Sequence, residues 1–171
     1  MALYKYIKKT RNSPEFKDVQ KAHLIEWRKE PITVRIERPT KLDRARTLGY
    51  RAKPGFILIR QKVEKNTRKR ESFAGGRRPK HNRRVEIINT SYQAIAERRV
   101  NDKFRNLEVL NSYFVGKDGK YKWYEVILVD PNHPQIINDS ILSWISSPKH
   151  TRRAFRGLTS AGKKSKMDPK K

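Results

Sequence analysis

Apolar positions recur with a period of two in some stretches of the chain and with a period near 3.6 in others, which predicts a mixture of strands and helices. Within residues 32–36, isoleucine and valine alternate with polar side chains, as in a strand that buries one face. Residues 56–64 are rich in β-branched and aliphatic side chains and follow Pro54-Gly55, a typical turn pair. These two stretches are predicted to be successive strands.

A strand pair is predicted in the second half of the chain. Residues 107–115 and 121–129 flank the sequence Gly116-Lys117-Asp118-Gly119. An Asp-Gly pair between two apolar runs is a strong hairpin signal. Residues 126–129 are apolar at every position, so the second arm is predicted to be covered on both faces.

The first clear helix is predicted over residues 14–30. Ser13 is a suitable N-cap, Pro14 is favoured at the first helical position, and Pro31 ends the helix. One face is marked by Phe16, Val19, Gln20, Leu24 and Trp27. Before this helix, Tyr4 and Tyr6 lie among lysines, where tyrosines either stack on bases or cover the core, and we favour core contact.

Three further helices are predicted. Thr40 begins a T-x-x-D capping-box pattern for a short helix that Gly49 ends. Apolar residues at helical spacing over 92–104, behind a cap at Asn89 or Thr90, predict a helix that packs on the core. The last helix is predicted from four residues that share one side: Ile137, Ile141, Trp144 and Ile145.

Together these elements predict an α+β fold, with a small, mostly antiparallel sheet and flanking helices. We expect a single domain over residues 1–148, into which a basic loop over residues 65–84 is inserted. Pro148 is expected to close the folded part, and residues 149–171 are expected to form a basic C-terminal extension.

The charge of the chain is strongly segregated. The formal net charge is +25 at pH 7. Residues 65–84 and 149–171 each hold nine Lys or Arg residues and one carboxylate, so these two segments supply 16 of the 25 charges, whereas residues 85–148 are nearly neutral. Charge that served solubility alone would be spread along the chain. The pattern therefore indicates a compact core with two basic segments attached.

The basic loop, residues 65–84, contains no apolar run that the domain would bury. Because its like charges repel one another, we expect an anionic partner, such as a nucleic-acid backbone, to order it. Gly75-Gly76 permits close approach to a phosphate, and Phe73 is expected either to stack on an unpaired base or to fold back onto the domain. A solvated loop or a localisation signal is the alternative interpretation.

Catalytic, metal and nucleotide sites find no support in the sequence. The absence of cysteine excludes disulfides, thiolate zinc sites and cysteine nucleophiles, and the four histidines lack metal-ligand spacing. Residues 157–163 match the first seven positions of a phosphate-binding loop, but the eighth is Lys164, and we expect no helix to follow. No acid and base pair is evident, so we expect a protein that is not an enzyme. We also expect no cofactor and no small-molecule substrate.

The N-terminal sequence has no apolar segment of the kind that directs export. The longest aliphatic run, residues 126–129, is far too short to cross a bilayer. We therefore expect no membrane partner and a cytoplasmic location.

Five stretches of the chain resemble one protein family, the archaeal and eukaryotic (e-type) large-subunit ribosomal protein fifteen, and look more archaeal than eukaryotic. They are RPTKLDRAR (38–46), LGYRAK (48–53), LNSY with the following VG (110–113 and 115–116), EVILVDP (125–131) and RGLTSAG (156–162). The resemblance runs in the family's order from Tyr4 to about Lys166. It implies an integral ribosomal protein with an α+β domain on the large-subunit RNA and extensions threaded between RNA helices. Its partners would be this RNA and neighbouring ribosomal proteins.

Basic residues, two glycines and two aromatic residues are predicted to contact the RNA. The predicted contact residues are Lys41, Arg44, Arg46, Arg51, Lys53, Lys65, Arg68, Lys69, Arg70, Phe73, Gly75, Gly76, Arg77, Arg78, Lys80, Arg83, Arg84, Arg152, Arg153, Phe155, Arg156, Lys163, Lys164 and Lys166. Magnesium ions of the RNA are expected nearby. The basic outer face of the short helix is also compatible with ordinary solvation. A duplex-DNA-binding protein of chromatin type, and less so an RNA-processing enzyme, are the competing hypotheses.

Overall fold

The computed structural model describes residues 2–11, 13–65, 69–70, 86–87 and 90–166. Its α-helices are α1 (Ala2–Arg11), α2 (Pro14–Lys29), α3 (Leu42–Thr47), α4 (Tyr92–Lys103), α5 (Pro134–Ile137) and α6 (Ser160–Lys166). Its strands are β1 (Thr33–Ile36), β2 (Phe56–Glu64), β3 (Lys69–Arg70), β4 (Glu86–Ile87), β5 (Glu108–Lys117) and β6 (Tyr121–Val129). Two short 3-10 helices, Ser143–Ser146 and Pro148–His150, follow α5.

Four strands form one antiparallel sheet in the order β1-β2-β6-β5, which confirms the predicted α+β class. The longest register pairs β2 with β6 from Phe56 opposite Val129 to Glu64 opposite Tyr121. The predicted hairpin is β5-β6, and the Asp118 carboxylate accepts a hydrogen bond from the backbone N of Lys120 at 2.8 Å. A separate two-residue ladder of β3 and β4 lies at the base of the basic loop.

The sheet buries side chains on both faces. On one face, Trp27 of α2 lies against Trp123 of β6, with ring centroids 6.2 Å apart, and α3 and α5 cover the rest. On the other face, Val100 of α4 packs over β2, β5 and β6. Residues 126–129 are fully buried, as the prediction of a strand covered on both sides requires. Each face thus excludes water from apolar side chains, which is the main stabilising contribution to the fold.

The helix starts show which capping predictions hold. Ser13 caps α2 as predicted, with its hydroxyl accepting from the Phe16 N at 3.4 Å. Helix α4 begins as predicted, but its cap is Ser91 rather than Asn89 or Thr90. The capping box at Thr40 is wrong, because the Thr40 hydroxyl and N bind the buried Glu125 carboxylate instead.

Three expectations about apolar residues need correction. The last amphipathic helix does not form: α5 ends at residue 137, and the Asp139 carboxylate accepts from the Ile141 N at 2.8 Å, which favours a turn. Ile137, Ile141 and Trp144 are exposed, and only Ile145 of the predicted face is buried. The expected core contact of Tyr6 is also wrong, because its side chain is exposed. Ile32 and Val19 are exposed as well, although each was predicted to lie on a buried face.

Strand β5 carries two irregularities, and each leaves backbone carbonyls that side chains satisfy. The register with β6 shifts between Val109 and Asn111 and again between Phe114 and Gly116. At the first, the Arg153 guanidinium donates to the carbonyls of Val109 and Leu110 at 2.6 and 2.7 Å. At the second, Gln20 of α2 donates to the Val115 carbonyl at 3.3 Å. Bulges leave such groups without ladder partners, so these side chains replace the missing bonds.

The folded structure continues past Pro148, where the sequence predicts its end. The Glu108 carboxylate accepts from the backbone N of Arg152 at 2.8 Å, and Ala154 packs into the α4 side of the core. Helix α6 begins at Ser160, within the phosphate-loop-like stretch, although no helix was expected there. Its glycine spacing has a packing reason, because a Cβ on Gly162 would lie 2.6 Å from the Cα of Gly157.

Glu97 of α4 is fully buried and joins this C-terminal segment to the sheet. Its carboxylate accepts hydrogen bonds from the hydroxyls of Ser112 and Thr159. Burial raises the pKa of the Glu97 carboxyl above its ordinary value, against the opposing effect of these hydrogen bonds and of Arg153. The folded chain therefore binds more protons than the unfolded chain between the two pKa values, and its stability falls as pH rises through that range.

We predict that Glu97→Gln removes this pH dependence. Each pKa unit between folded and unfolded Glu97 changes the free energy of unfolding by about 1.4 kcal/mol. Denaturant midpoints measured from pH 4.5 to 7.5 should therefore fall for the natural chain relative to the variant. Glu26→Gln, at an exposed position of α2, controls for loss of one carboxylate. Parallel profiles for the natural chain and Glu97→Gln would contradict the assigned role of burial.

Candidate nucleic-acid interface

A basic groove lies between α1, α3 and β5, with a cavity of about 740 Å³. Helix α1 contributes one wall with Tyr4, Lys5, Lys8 and Arg11. The segment that begins and forms α3 contributes Lys41, Asp43, Arg44 and Thr47, and the opposite side is lined by Gln93, Ser112, Tyr113 and Phe114. We call this feature the basic groove.

The charge of the basic groove is strongly positive, with five cations and one carboxylate. Arg11 forms an ion pair with that carboxylate, Asp43, and the guanidinium holds the Asp43 pKa below its ordinary value. Within the described part of the chain, no carboxylate lies within ion-pair distance of Lys5, Lys8 or Arg44. These three side chains are therefore available to an anion from outside the domain.

Lys41 lies deeper in the groove than the other lysines. Its Nζ donates to the Phe114 carbonyl at 2.9 Å and lies 5.4 Å from the Phe114 ring centroid. Burial and the neighbouring Arg11 charge lower the Lys41 pKa, against the attraction of Glu125 and Asp43. A partly buried cation attracts a further negative charge more strongly than an exposed cation does, because solvent screens it less.

The second irregularity of β5 turns an aromatic ring toward the groove. Phe114 is 41% exposed, although the residues before and after it are buried. Its ring meets Tyr124 edge to face, with centroids 5.8 Å apart. Bulges commonly re-aim side chains at functional sites. The groove thus combines cations with a partly exposed aromatic ring.

The predicted contacts on and after α3 have different positions. Arg44 and Lys41 line the groove, and Arg46 is exposed while donating to the Tyr4 hydroxyl at 3.2 Å. Arg51 is exposed. Lys53 is instead engaged inside the domain, in an ion pair with Asp139 and a hydrogen bond to a backbone carbonyl at 3.1 Å.

Most of the basic loop lies outside the described residues. Lys65 is half-buried and binds carbonyls of the hairpin turn, including that of Gly119 at 3.4 Å. Lys69 and Arg70 form β3, of which the backbone alone is described. The other predicted loop contacts lie outside the described residues: Arg68, Phe73, Gly75, Gly76, Arg77, Arg78, Lys80, Arg83 and Arg84. Their contacts with RNA stay predictions.

The C-terminal segment divides into buried and exposed cations. Arg153 is only 8% exposed, and its donors serve backbone carbonyls, so the structure places it in the fold rather than on the surface. Arg152 is exposed, with its guanidinium 4.7 Å from the centroid of the exposed Phe155 ring. Arg156, Lys163 and Lys164 are also exposed, and Lys166 ends α6.

Sequence reasoning missed Lys5, Lys8 and Phe114. The first two lie one helical turn apart in a segment that has no acidic residue, a signal that a helix prediction for residues 2–11 would have revealed. Phe114 gave no signal, because its exposure depends on the irregular pairing of β5 with β6.

The buried carboxylates of the described residues are engaged in contacts within the fold. Across the described ranges, no three His, Asp or Glu side chains are grouped to hold a metal ion. Glu97, Glu108 and Glu125 are buried and hydrogen-bonded to neighbouring backbone or hydroxyl groups. Among the described helices, none has the length and apolar character needed to cross a membrane.

Comparisons with known proteins give one consistent result. A family model described as Ribosomal L15 matches residues 2–169. The large ribosomal subunit protein eL15 of Thermoplasma volcanium is 52% identical over 157 residues, which cover 91% of this chain and 80% of that protein. The protein of the same name from Methanocella arvoryzae is 55% identical over 149 residues, covering 86% of this chain and 76% of that protein.

Proposed function

The chain belongs to the eL15 family of ribosomal proteins, and on that premise we propose that it binds and stabilises large-subunit ribosomal RNA. Proteins of this family have a structural, non-enzymatic role, and the two relatives described above are archaeal. The proposal concerns the surfaces that make the contact: the basic loop, the exposed cations after residue 149 and the basic groove. Neighbouring ribosomal proteins are the expected further partners.

The observation that carries the proposal is the separation of buried from exposed charge. Arg60 pairs with Glu30 at 2.7 Å, and Arg153 donates to backbone carbonyls, so both of these internal cations have partners inside the fold. Lys5, Lys8 and Arg44, in contrast, share one groove with no carboxylate partner among the described residues. A densely packed RNA backbone supplies the anions that such a surface lacks.

The mechanism is mainly electrostatic. Each Lys or Arg that neutralises a phosphate releases condensed counterions, which favours binding at low salt. Arginine adds planar, bidentate contact with phosphate oxygens, and the basic loop holds six Arg and three Lys residues. Because A-form helices keep base edges in a deep groove, recognition is expected through shape, phosphates and 2′-hydroxyls.

A duplex-DNA binder is the main alternative, and it makes a different prediction. Such a protein needs a helix or ribbon that enters a groove of the duplex, or wedges that bend it. Helix α3 has six residues, and its buried Ala45 and the Arg11–Asp43 pair hold it against the domain. These features favour RNA contact along the surface over insertion into a groove.

The direct test is a titration of the purified full chain with large-subunit ribosomal RNA and with duplex DNA at several KCl concentrations. If half of the 18 basic residues in the loop and tail contact phosphates, the affinity for RNA should fall with a log–log slope of roughly 6 to 8. RNA should also be preferred over DNA. Equal or tighter binding to DNA, or affinity indifferent to salt, would contradict the proposal.

A further inference from the structure

We propose that the basic groove binds one unpaired nucleotide of the ribosomal RNA, an inference that rests on the proposed function. The phosphate would contact Lys5, Lys8 and Arg44, and the base would lie against the Phe114 ring. The groove thereby becomes a site for single-stranded RNA within a protein whose loop and tail contact the backbone more generally.

The first support is the size of the groove. Its cavity of about 740 Å³ falls within the range of roughly 300 to 1,000 Å³ that small-molecule sites occupy. Four separate elements form its walls: α1, the α3 region, α4 and β5. A nucleotide in such a space can contact several elements at once, whereas a flat basic surface contacts only phosphates.

The second support is the pairing of cations with an exposed aromatic ring. Unpaired bases are bound by stacking on aromatic side chains, while basic residues follow the backbone. Three aromatic residues line this groove: Tyr4, Tyr113 and Phe114. Phe114 is the one whose side chain is exposed, and the irregular pairing of β5 with β6 accompanies its exposure. Lys41 fixes this part of β5 through its hydrogen bond to the Phe114 carbonyl at 2.9 Å.

An additional polar group lies at the back of the groove. The Gln93 side-chain amide donates to the carbonyl and hydroxyl of Ser112, both at 2.9 Å. These two bonds fix the amide orientation. A fixed amide has a carbonyl oxygen that can accept from a base or ribose hydroxyl.

An RNA duplex fits these features less well. In an A-form helix the bases are stacked and the exterior presents phosphates and hydroxyls. A duplex would satisfy the cations at the edge of the groove and leave Phe114 uncovered. An acidic peptide would likewise neutralise the cations without a planar group for the ring. The occupant that uses both features is an unpaired nucleotide.

The test compares a single-stranded RNA hexamer carrying 2-aminopurine with the duplex of the same strand and its complement. Phe114→Leu keeps an apolar side chain of similar volume and removes the stacking face. It should weaken binding of the single strand by roughly tenfold or more, with loss of 2-aminopurine quenching, and leave duplex affinity within twofold. Phe114→Tyr should restore both readouts.

Matched charge variants test the phosphate contact. The pair Lys5→Gln and Lys8→Gln should lower the salt slope for the single strand by about one to one and a half. The exposed control pair, Lys103→Gln and Lys117→Gln, removes the same charge outside the groove and should lower it less.

The outcomes separate this inference from the proposed function. If the full chain binds the duplex and the single strand but Phe114→Leu changes neither, or weakens both equally, the groove inference is wrong and the proposed function stands. Displacement of the single strand by oligoglutamate at equal charge concentration would indicate a protein ligand and also overturn it. If the full chain binds neither RNA, the proposed function itself fails.

Discussion

Replacing Arg153 with Met should destabilise the domain by about 3 kcal/mol or more, a large share of the roughly 5 to 15 kcal/mol that stabilises a typical domain. The substitution keeps a long unbranched stem but removes the guanidinium that donates to the Val109 and Leu110 carbonyls. It also removes the charge that counteracts burial of the Glu97 carboxylate. The buried carbonyls would then lose their donors, which costs more than the bonds themselves contribute, and the buried carboxylate would lose a nearby opposite charge.

Chemical denaturation monitored by tryptophan fluorescence measures this effect. Arg152→Met is the matched control, because it removes the neighbouring arginine side chain, which is exposed. The control should change stability by no more than about 0.5 kcal/mol. Equal stabilities for the two variants would show that Arg153 is not part of the fold. Any loss of RNA binding by Arg153→Met must therefore be compared with its loss of folded protein.

Neutralising the basic loop should weaken binding to ribosomal RNA by about a thousandfold near 0.1 M salt, since half of its nine cations would contribute a salt slope of roughly 3 to 4. The variant replaces the eight Lys and Arg residues between residues 68 and 84 with Gln. It keeps Lys65, whose backbone N donates to the Lys120 carbonyl at 2.8 Å. The β-hairpin and the core should remain folded.

A charge-preserving variant of the same loop provides the control. Exchange of its six arginines for lysines keeps the net charge and removes bidentate phosphate contacts. The salt slope should then stay nearly unchanged, with a smaller loss of affinity than in the neutral variant. If the neutral loop retains the natural slope and affinity, the loop does not contribute to RNA binding.

Local signals in the sequence predicted much of the sheet. The bounds of β2 and β6 agree with the prediction, and a turn with glycine or proline precedes each strand. The Asp118 side chain binds the turn backbone, so the hairpin signal is also a local one. Ser13 could be predicted for the same reason, since a cap interacts with residues three positions away.

Features that depend on distant residues were not predictable. The spacing of Ile137, Ile141 and Ile145 is that of a helix face. A turn at Asp139 and the packing of other residues in the core give a different structure there. Arg153 belongs to a basic run in the sequence, and its burial depends on two carbonyls of a strand more than forty residues away.

The candidate site was predictable only in part, because it too depends on residues that are distant in the sequence. Charge segregation identifies basic segments without any knowledge of the fold, so it selected residues such as Arg44 and Arg152, which the structure shows to be exposed. The basic groove needs α1, α3 and β5 to meet, and no short pattern records that meeting. Lys53 shows the converse, because a lysine predicted to contact RNA is bound to Asp139 within the domain.

The central claim, that this chain is held in the large ribosomal subunit by its cations, is tested most directly by sedimentation of a cell lysate containing the tagged chain. At about 0.1 M KCl the chain should co-migrate with the large subunit, since counterion release favours binding at low salt. It should leave that fraction when the ribosomal RNA is digested. Migration with chromosomal DNA, or as free protein at the top of the gradient at low salt, would contradict the account.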